Sequence, residues 1–527
     1  MHRLTGGHAV VEQLEREGVD VAFGIPGVHN LELYDALVDG HIDHVTARHE
    51  QGVGFMADGY ARTTGRVGVA LVITGPGLTN VATAVGQSYS DSSPMLVIST
   101  ANAVNEGDRG KGMLHELKDQ QGVMESIAAY SERVERVSDI PGAVADAFSY
   151  LESHRPRPVH LEIPTDVLER EEQVELVDRA PASPPAPDAD RLDEAADRLV
   201  AADQPVLVVG GGTVEVAETV RRFVDETGLP VVTTTAGKGV VPASHDACLG
   251  TTVGSDAAES FLASRDVALA VGTELSEQET GGVPFPEELI HVDIDYTNLA
   301  KNHPTAMGIV GDAEQALAGI QDRLATQGFT PHESGAAVES AEPAPLAATA
   351  DEDNRHAVLS VLRESLDDDA VVVNDMTKLC YEGRNRFPME EPGSFHFPMG
   401  YGTLGFSPPA AFGAAVGTNR QVVGLVGDGG FIFTVGDLAT AVKYDIGVPI
   451  VVLNDDSYDI LEDVQRAQYG RTMATDIENP DFVALAEGFG AAGQRVEFEE
   501  LEAALPAALS AAFDRDQPTV IEIPVEF

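Results

Sequence analysis

The sequence has little cysteine, little lysine and no long apolar run. Its two cysteines, Cys248 and Cys380, are far apart and lack metal-ligand spacing, so neither a disulfide framework nor a zinc site is supported. No apolar stretch approaches the roughly 18 residues of a membrane helix, and the first twenty residues lack the apolar segment of a signal peptide. We therefore expect a cytoplasmic protein with reduced thiols and no membrane partner.

Positive charge is also scarce, since 33 Lys and Arg residues face 86 Asp and Glu residues and the formal net charge is -53. Nucleic acid is excluded as an expected partner because a polyanion would be repelled. The acids alternate with apolar residues, and 43% of the chain is hydrophobic, which indicates a folded protein with an acidic surface rather than disorder. Such a surface suits molar salt, where charges are screened over about 3 Å, and a halophilic source is our hypothesis.

The chain of 527 residues is too long for one core, and about 150 to 200 residues per domain gives about three domains. Helical periods alternate with short β-branched runs, a pattern typical of parallel sheets wrapped by helices. We predict an α/β protein of three doubly wound parallel-sheet domains, over residues 1–175, 190–330 and 354–527. Linkers rich in proline and alanine are predicted at 178–190 and 332–353.

Two carboxylates follow neighbouring apolar runs in the third domain. "QVVGLV" reads as a buried strand, "GDGG" as a tight turn, "GDLATAVKYD" as a helix and "VPIVVLN" as the next strand. A right-handed crossover would make the two strands neighbours, with Asp428 and Asp455 side by side at their carboxyl ends. Two hard oxygen ligands favour magnesium over zinc. The glycines allow backbone N–H groups to approach an anion, so magnesium with a diphosphate is the simplest occupant.

The combination of Gly-Asp-Gly, 24 residues and Asn-Asp resembles the thiamine-diphosphate enzymes of the acetolactate synthase, benzoylformate decarboxylase and pyruvate decarboxylase superfamily. The resemblance implies that magnesium is bound by Asp428, by the side chain of Asp455 and by the backbone carbonyl of Ser457. The family pattern has a second Asn where this chain has Asp455. The extra negative charge beside the diphosphate should make cofactor affinity more dependent on magnesium.

Glu50 in "TARHEQGVGFMADGYAR" matches the family's glutamate that faces the pyrimidine nitrogen of the cofactor. Taken alone, it would read as an ordinary acid at a helix N-terminus. The resemblance also implies that the pyrimidine lies on the first domain of one subunit and the diphosphate on the third domain of another. A homodimer or homotetramer with active sites between subunits is therefore expected.

Further cofactor contacts follow from the same resemblance. A carbonyl in "GYGTLGF" would accept from the exocyclic amine, and a leucine there would wedge between the cofactor rings. Acetolactate synthases usually carry Met at that wedge, so the leucine favours a decarboxylase. The implied cofactor-binding set is Glu50, Thr377, Gly402, Leu404, Gly429, Gly430 and Tyr458.

The substrate is less clearly indicated than the cofactor. The Phe-Gln-Glu element and the flavin segment of acetolactate synthases are replaced by "MLHELKDQ" and "VGTELSEQETGG", so we expect neither FAD nor strict pyruvate condensation. We favour a central domain that binds no nucleotide, because the Gly210-Gly211-Gly212 turn alone is weak evidence for a nucleotide site. Over nearly its whole length the chain resembles decarboxylases of the 5-guanidino-2-oxopentanoate type, which implies a small 2-oxo acid as substrate.

By the same analogy, three loops face the substrate. A histidine near the reacting carbon has a pKa suited to proton transfer, although a lone histidine is more often structural. Asp459, Glu462 and Asp463 either receive a cationic substrate tail or belong to the acidic surface, and the second reading is favoured. The predicted catalytic residues are Glu50, His115, Glu116 and His29, and the predicted pocket residues are Val28, Ile460 and Leu461.

Three functions remain open from the sequence. The first is a lyase that removes carbon dioxide from a 2-oxo acid and then releases an aldehyde or joins the remaining carbon to a second carbonyl. The second is an acetolactate synthase that condenses two pyruvates. The third is a non-catalytic relative that serves as a partner subunit, which the presence of Glu50 and Asp428 disfavours.

Overall fold

The computed structural model describes residues 2–106, 110–179, 181–341, 343, 346–349 and 353–525. Three six-stranded parallel sheets, each flanked by helices, follow one another along the chain. The predicted α/β architecture of three doubly wound domains is thus confirmed.

The N-terminal domain contains the first parallel sheet. The first and last strands of the domain form a separate, small antiparallel pair. Its strands are β1 (His2–Thr5), β2 (Val21–Gly24), β3 (Asp43–Thr46), β4 (Gly68–Val72), β5 (Met95–Ala101), β6 (Tyr130–Arg133), β7 (Val159–Pro164) and β8 (Glu171–Val174). Its helices are α1 (Gly6–Arg16), α2 (Leu31–Asp39), α3 (Glu50–Thr64), α4 (Pro76–Asp91), α5 (Gln120–Glu125), α6 (Ile140–Ser153) and α7 (Thr165–Glu169).

The central domain has its own core around the second sheet. Its strands are β9 (Pro205–Val209), β10 (Val231–Thr233), β11 (Cys248–Thr252), β12 (Val267–Val271), β13 (Glu288–Asp293) and β14 (Met307–Val310). Its helices, with two short ones that follow it, are α8 (Ala189–Ala201), α9 (Ala217–Thr227), α10 (Asp256–Leu262), α11 (Glu277–Thr280), α12 (Ala313–Gln327), α13 (Gly335–Glu339) and α14 (Leu346–Thr349).

The C-terminal domain contains the third sheet. Its strands are β15 (Val371–Val373), β16 (Phe395–His396), β17 (Val422–Gly427), β18 (Pro449–Asn454), β19 (Ala492–Arg495) and β20 (Thr519–Pro524). Its helices are α15 (Asn354–Ser365), α16 (Lys378–Arg386), α17 (Ser407–Gly417), α18 (Asp428–Thr434), α19 (Leu438–Lys443), α20 (Asp459–Tyr469), α21 (Phe482–Phe489) and α22 (Leu501–Phe513).

The two outer sheets share one strand order, and the central sheet has another. The orders are β3-β2-β4-β5-β7-β6 and β16-β15-β17-β18-β20-β19 in the outer domains, against β11-β10-β9-β12-β13-β14 in the centre. In open sheets of this kind, ligands bind beyond the carboxyl ends of the strands, where the strand order reverses. The order reverses between β2 and β4, between β9 and β12, and between β15 and β17.

Helices α3 and α17 join the outer domains within the chain. A Cβ atom on Gly59 would overlap the backbone of Ala410, and one on Gly413 would overlap the backbone of Met56. Because neither glycine carries a side chain, the two helix backbones touch. The Phe55 and Phe406 rings pack edge to face beside this contact, with centroids 5.3 Å apart. One apolar core therefore extends through both outer domains.

The second predicted linker is partly helical, because α13 and α14 lie within residues 332–353 and Val338 is buried against the central domain. Residues 342, 344–345 and 350–352 of that linker, and residue 180 of the first one, lie outside the described residues. Within the part of the chain that the structure describes, no helix is both long enough and apolar enough to cross a membrane.

Candidate functional site

The carboxyl ends of β17 and β18 lie side by side, with Gly427 opposite Leu453 in a parallel ladder. This adjacency confirms the prediction from the strand, helix, strand pattern. The predicted tight turn over 427–430 is wrong, because α18 begins at Asp428 directly after the strand. None of its glycines has a positive φ, so close neighbours rather than a turn require them.

Asp428 is buried at the first position of α18 and is held by two hydrogen bonds. Its Oδ1 accepts from the backbone N–H of Gly429 at 2.6 Å, and its Oδ2 accepts from Nδ2 of Asn479 at 2.7 Å. The same Nδ2 lies 3.0 Å from Oδ1 of Asn454 and 2.9 Å from Oδ1 of Asp456. Asn479 thus connects the two strand ends. Sequence reasoning missed it, because it lies 51 residues beyond Asp428 with no local signal.

Asp455 directly follows β18 and is half-buried. Burial raises its pKa to about 7, and the neighbouring carboxylates of Asp428 and Asp459 add to this effect. Burial also raises the pKa of Asp428. Two carboxylates at neighbouring strand ends could bind a divalent cation together with other oxygen ligands. No third His, Cys, Asp or Glu completes a metal-binding cluster in the described ranges.

The glycines of the motif make room for neighbouring side chains. A Cβ atom on Gly429 would lie 2.6 Å from the ring of Tyr458, and one on Gly430 would lie 3.1 Å from Oδ1 of Asp375. A Cβ atom on Gly427 would lie 3.4 Å from Oγ1 of Thr377. Thr377 follows β15, so its hydroxyl and the Gly-Asp-Gly motif meet at the point where the strand order reverses.

Asp375 positions this end of the sheet. It was missed as a functional residue, although it lies only two residues before Thr377. Its carboxylate is 1% exposed and accepts from the backbone N–H groups of Met376 at 2.8 Å, Gly405 at 3.2 Å and Ser407 at 2.9 Å. Burial raises its pKa to about 6 against the lowering effect of these donors. The carboxylate therefore ties the Thr377 loop to the loop that contains Gly402.

That second loop carries the predicted pyrimidine contacts. Gly402 has a φ of +69°, a left-handed conformation that favours glycine, and Leu404 is half-buried. Both the N–H and the Oγ1 of Thr403 donate to Oε1 of Gln87 on α4, at 3.2 and 2.8 Å. The loop is thus fixed by its own domain through Asp375 and by the N-terminal domain through Gln87.

Lys378 pairs with two of the three acids that follow Tyr458 in the first turn of α20 and beyond, Asp459 and Asp463. Its Nζ lies 2.5 Å from a carboxylate oxygen of Asp459 and 2.5 Å from one of Asp463, while Glu462 pairs with Arg466 at 2.8 Å. Asp463 and Arg466 are exposed, at 63% and 64% of their side chains, so these ion pairs lie at the surface. This arrangement fits the favoured prediction of an acidic surface better than a free site for a substrate cation. The neighbouring Ile460 and Leu461 are exposed, at 38% and 51%.

Glu50 begins α3 and is 8% exposed. Its Oε2 accepts from Nδ2 of Asn80 at 2.9 Å, and its Oε1 faces the backbone of Gly77 on α4. The residue was predicted at the start of a helix after a strand, and the structure places it there. Asn80 orients the carboxylate and was not found from sequence.

The two predicted histidines form a pair near the N-terminus of α4. The rings of His29 and His115 pack edge to face with centroids 5.1 Å apart, and Nδ1 of His115 lies 3.1 Å from the carbonyl oxygen of Thr74. Burial lowers the pKa of His29, and His115 lowers it further. His115 has a φ of +62°, an uncommon conformation for a residue with a side chain.

Glu116 closes its own loop. Its Oε2 accepts from the backbone N–H groups of Gly112 at 2.7 Å and Met113 at 3.1 Å, and its Oε1 accepts from that of Lys111 at 3.3 Å. Desolvation raises its pKa, but these hydrogen bonds outweigh it, so the pKa is lowered overall. Val28, in the neighbouring loop between β2 and α2, is 65% exposed.

The structure therefore gathers the predicted residues into two groups. One surrounds the ends of β15, β17 and β18 and contains Thr377, Gly402, Leu404, Asp428, Gly429, Gly430, Asp455, Ser457 and Tyr458. The other surrounds the N-termini of α3 and α4 and contains Val28, His29, Glu50, His115 and Glu116. No hydrogen bond or ion pair between described residues joins the first group to the second.

Three family models match the chain in the order of its sheets. They are "Thiamine pyrophosphate enzyme, N-terminal TPP binding domain" at residues 4–123, its "central domain" at 192–320 and its "C-terminal TPP binding domain" at 375–523. The two outer matches contain the two groups of site residues. The chain belongs to the thiamine pyrophosphate enzymes.

Relatives that match nearly the whole chain are named either as a decarboxylase or as an acetolactate synthase. The "Probable 2-ketoarginine decarboxylase AruI" of Pseudomonas aeruginosa is 39% identical over 99% of this chain and 94% of that protein. The "Acetolactate synthase large subunit" of Corynebacterium glutamicum is 32% identical over 99% of this chain and 86% of that protein. The "Acetolactate synthase isozyme 1 large subunit" of Escherichia coli is 30% identical over 99% and 94%.

Proposed function

We propose that the protein is a thiamine-diphosphate- and magnesium-dependent enzyme that decarboxylates a 2-oxo acid. The observation that carries this proposal is the pair Asp428 and Asp455 at adjacent strand ends, where burial raises both pKa values and the carboxylate of Asp428 raises that of Asp455 further. A divalent cation would relieve the repulsion between these carboxylates. The donor set therefore fits magnesium with a bound diphosphate.

The residues that would hold the cofactor come from both groups. Asp428, Asp455 and the backbone carbonyl of Ser457 would bind magnesium. The hydroxyl of Thr377 and the backbone of Gly429 and Gly430 would contact the diphosphate, with Tyr458 packed beside them. The carbonyl of Gly402, the side chain of Leu404 and the carboxylate of Glu50 would hold the pyrimidine. When bound, the thiazolium ring supplies an electron sink for the loss of carbon dioxide.

Glu50 would exchange a proton with the pyrimidine nitrogen. Its carboxylate is buried and fixed by Asn80, which keeps it in one orientation and away from bulk water. The imidazole of His115 would deliver a proton to the reacting carbon or oxygen, with His29 edge to face against it. A His115→Gln variant should lose turnover but keep cofactor binding, whereas equal turnover would remove His115 from this role.

A second copy of the chain would complete each site. Within the described residues, the Glu50 carboxylate hydrogen-bonds to Asn80 of its own domain and to no residue of the C-terminal domain. Large apolar side chains are exposed beside both groups of site residues, and a partner chain that covers them would remove this surface from water. They are Val28, Leu31 and Leu114 in the N-terminal domain, and Tyr401, Phe433, Ile460 and Leu461 in the C-terminal domain. We therefore infer a homo-oligomer with active sites between subunits.

The name of the Pseudomonas aeruginosa relative favours a 2-oxo acid with a guanidinium tail, and the names of the other relatives favour pyruvate. The leucine at position 404 supports the decarboxylase, and carboligation to acetolactate is the second candidate. Because Asp459 and Asp463 are paired with Lys378, they are not the groups that would select a cationic tail. We infer that FAD is not used with either candidate, because the chain lacks the flavin segment of acetolactate synthases.

Carbon dioxide release tests this proposal. The purified protein would be assayed in concentrated potassium chloride with magnesium, with and without thiamine diphosphate, on pyruvate, aromatic, branched and guanidino 2-oxo acids. We expect cofactor-dependent release that falls roughly 10²-fold or more in Glu50→Gln, as for loss of an acid–base group. The exposed Glu364→Gln serves as the matched control.

The outcomes separate the candidates. Release from one bulky acid with an aldehyde product supports the decarboxylase. Acetolactate as the main product from pyruvate moves the function to the synthase. No release from any acid, together with no cofactor binding, would leave the non-catalytic partner subunit.

A further inference from the structure

A cavity of about 650 Å³ lies where the three domains meet. In the central domain it begins beyond the carboxyl ends of β9, β12 and β13, where the strand order of that sheet reverses. Ser93 of the N-terminal domain and His396 of the C-terminal domain complete its wall. None of the residues around Glu50 or Asp428 lines it. Its volume is that of a small-molecule site.

Every arginine of the wall is already paired with a carboxylate. Within the described residues, four arginines and no lysine line the cavity. The pairs are Arg62 with Asp91 at 2.9 Å, Arg66 with Asp20 at 2.6 Å, Arg155 with Glu274 at 3.0 Å and Arg179 with Glu17 at 3.2 Å. The wall therefore offers no free cation to an anionic ligand.

Several carboxylates of the wall, in contrast, have no ion-pair partner among the described residues. Oε1 of Glu279 accepts only from the N–H and Oγ1 of Thr235, both at 2.5 Å. Oδ1 of Asp293 accepts from the N–H of Asp295 at 2.8 Å and from Nδ2 of Asn298 at 3.1 Å. Burial raises the pKa of Glu279 and raises that of Asp293 to about 6. A cation in the cavity would offset that cost of burial.

Two buried side chains of the wall lack the hydrogen bonds that such groups normally make. His396 is 2% exposed, and its Nε2 lies 3.2 Å from the carbonyl oxygen of Gly393. A carbonyl only accepts, so Nε2 carries the hydrogen and Nδ1 is an acceptor, yet Nδ1 has no partner. Oγ of Ser93, a residue that is also 2% exposed, has none either. Both atoms are fully buried within the wall and have no hydrogen-bond partner among the described residues.

We propose that this cavity binds a small organic cation, either a primary ammonium or a guanidinium compound. Such a ligand would meet the carboxylates of Glu279 and Asp293 with opposite charge. A nucleoside diphosphate is disfavoured, because no free lysine or arginine of the described wall would meet its phosphates. Since all three domains contribute to the wall, the bound cation would also hold them together. The inference does not depend on which 2-oxo acid the enzyme decarboxylates.

Calorimetric titration with arginine and with citrulline tests the site, because the two amino acids differ mainly in the charge of the side-chain terminus. The titrations would use the full-length Asp428→Asn variant, whose active site is impaired while the cavity is intact. We expect arginine to bind, and citrulline to bind at least about tenfold more weakly, the effect of one charge-assisted hydrogen bond.

Glu279→Gln and Asp293→Asn, each introduced separately into this protein, should weaken arginine binding by about the same factor as the change from arginine to citrulline. Glu502→Gln, an exposed change on α22, should leave binding unchanged. Thermal unfolding of each variant shows whether it is folded, and two separate positions keep the test usable if one variant is not. Equal binding of arginine and citrulline, binding of ADP in place of arginine, or no binding of any of them would overturn the proposal.

Discussion

Gly413 on α17 lies against the backbone of Met56 on α3 so closely that a Cβ atom would overlap its carbonyl oxygen. This contact joins the domain that carries Glu50 to the domain that carries Asp428. The helices can approach so closely only because each carries a glycine at the crossing. The second glycine is Gly59 on α3, which lies opposite Ala410 on α17. The relative position of the two groups of site residues thus depends on these two glycines, because a side chain at either position would push the helices apart.

A Gly413→Ala variant should be destabilised by about 2 kcal/mol or more, because a methyl group there must push two packed backbones apart. The measurement is the shift of the denaturant midpoint. Gly142→Ala is the matched control, since Gly142 lies in α6 with no atom within 4 Å of its Cβ position. That change should stabilise by up to about 1 kcal/mol through helix propensity. Equal effects at both positions would contradict the contact.

Lys238 should make stability depend on pH. It is buried, with its Nζ 2.8 Å from the carbonyl oxygen of Phe387, and burial lowers its pKa to about 7. Between pH 7 and the ordinary value of a lysine, the unfolded chain holds this proton and the folded chain does not. Stability therefore rises with pH in that window, by up to about 1.4 kcal/mol per pH unit.

A Lys238→Met variant removes this contribution. Its stability relative to the unmodified protein should fall steadily as the pH rises from 7 to 9, whereas below pH 7 the difference should be constant. Denaturant unfolding at each pH measures it, and Lys118→Met, on an exposed lysine, should show no such slope. A difference that does not change with pH would show that Lys238 keeps an ordinary pKa.

The thermal midpoint should rise with potassium chloride. The chain has 53 more acidic than basic residues, so self-repulsion exceeds what its surface ion pairs can offset, and salt screens that repulsion. Thermal unfolding over a potassium chloride series measures the effect, with sucrose at matched osmolality as the control. A midpoint that falls with salt would show that the ion pairs dominate and would remove the halophilic hypothesis.

Asp455 should set how strongly cofactor binding depends on magnesium. An Asp455→Asn variant keeps an oxygen ligand but removes a negative charge beside the diphosphate. The ratio of the Kd for thiamine diphosphate without magnesium to that with magnesium should therefore fall, by about tenfold. Asp516→Asn, an exposed change, should leave the ratio unchanged. An unchanged ratio in Asp455→Asn would place the side chain away from the diphosphate.

Local patterns predicted the three sheets and the adjacency of β17 and β18, because apolar periods and crossover handedness decide these features. They did not predict the start of α18 at Asp428, where the strand passes into the helix without a turn. Asp375, Asn479 and the Lys378 pair with Asp459 and Asp463 were also missed. They join segments between 23 and 85 residues apart, so only the folded chain reveals them.

Cofactor titration tests the central claim most directly. The full-length protein would be titrated calorimetrically with thiamine diphosphate, first with magnesium and then after the metal has been removed by a chelator. The account predicts saturable binding at one cofactor per chain with magnesium, a large loss of affinity without it, and loss of magnesium-dependent binding in Asp428→Asn. Binding that ignores both magnesium and Asp428, or no binding at all, would contradict a magnesium and diphosphate site at the ends of β17 and β18.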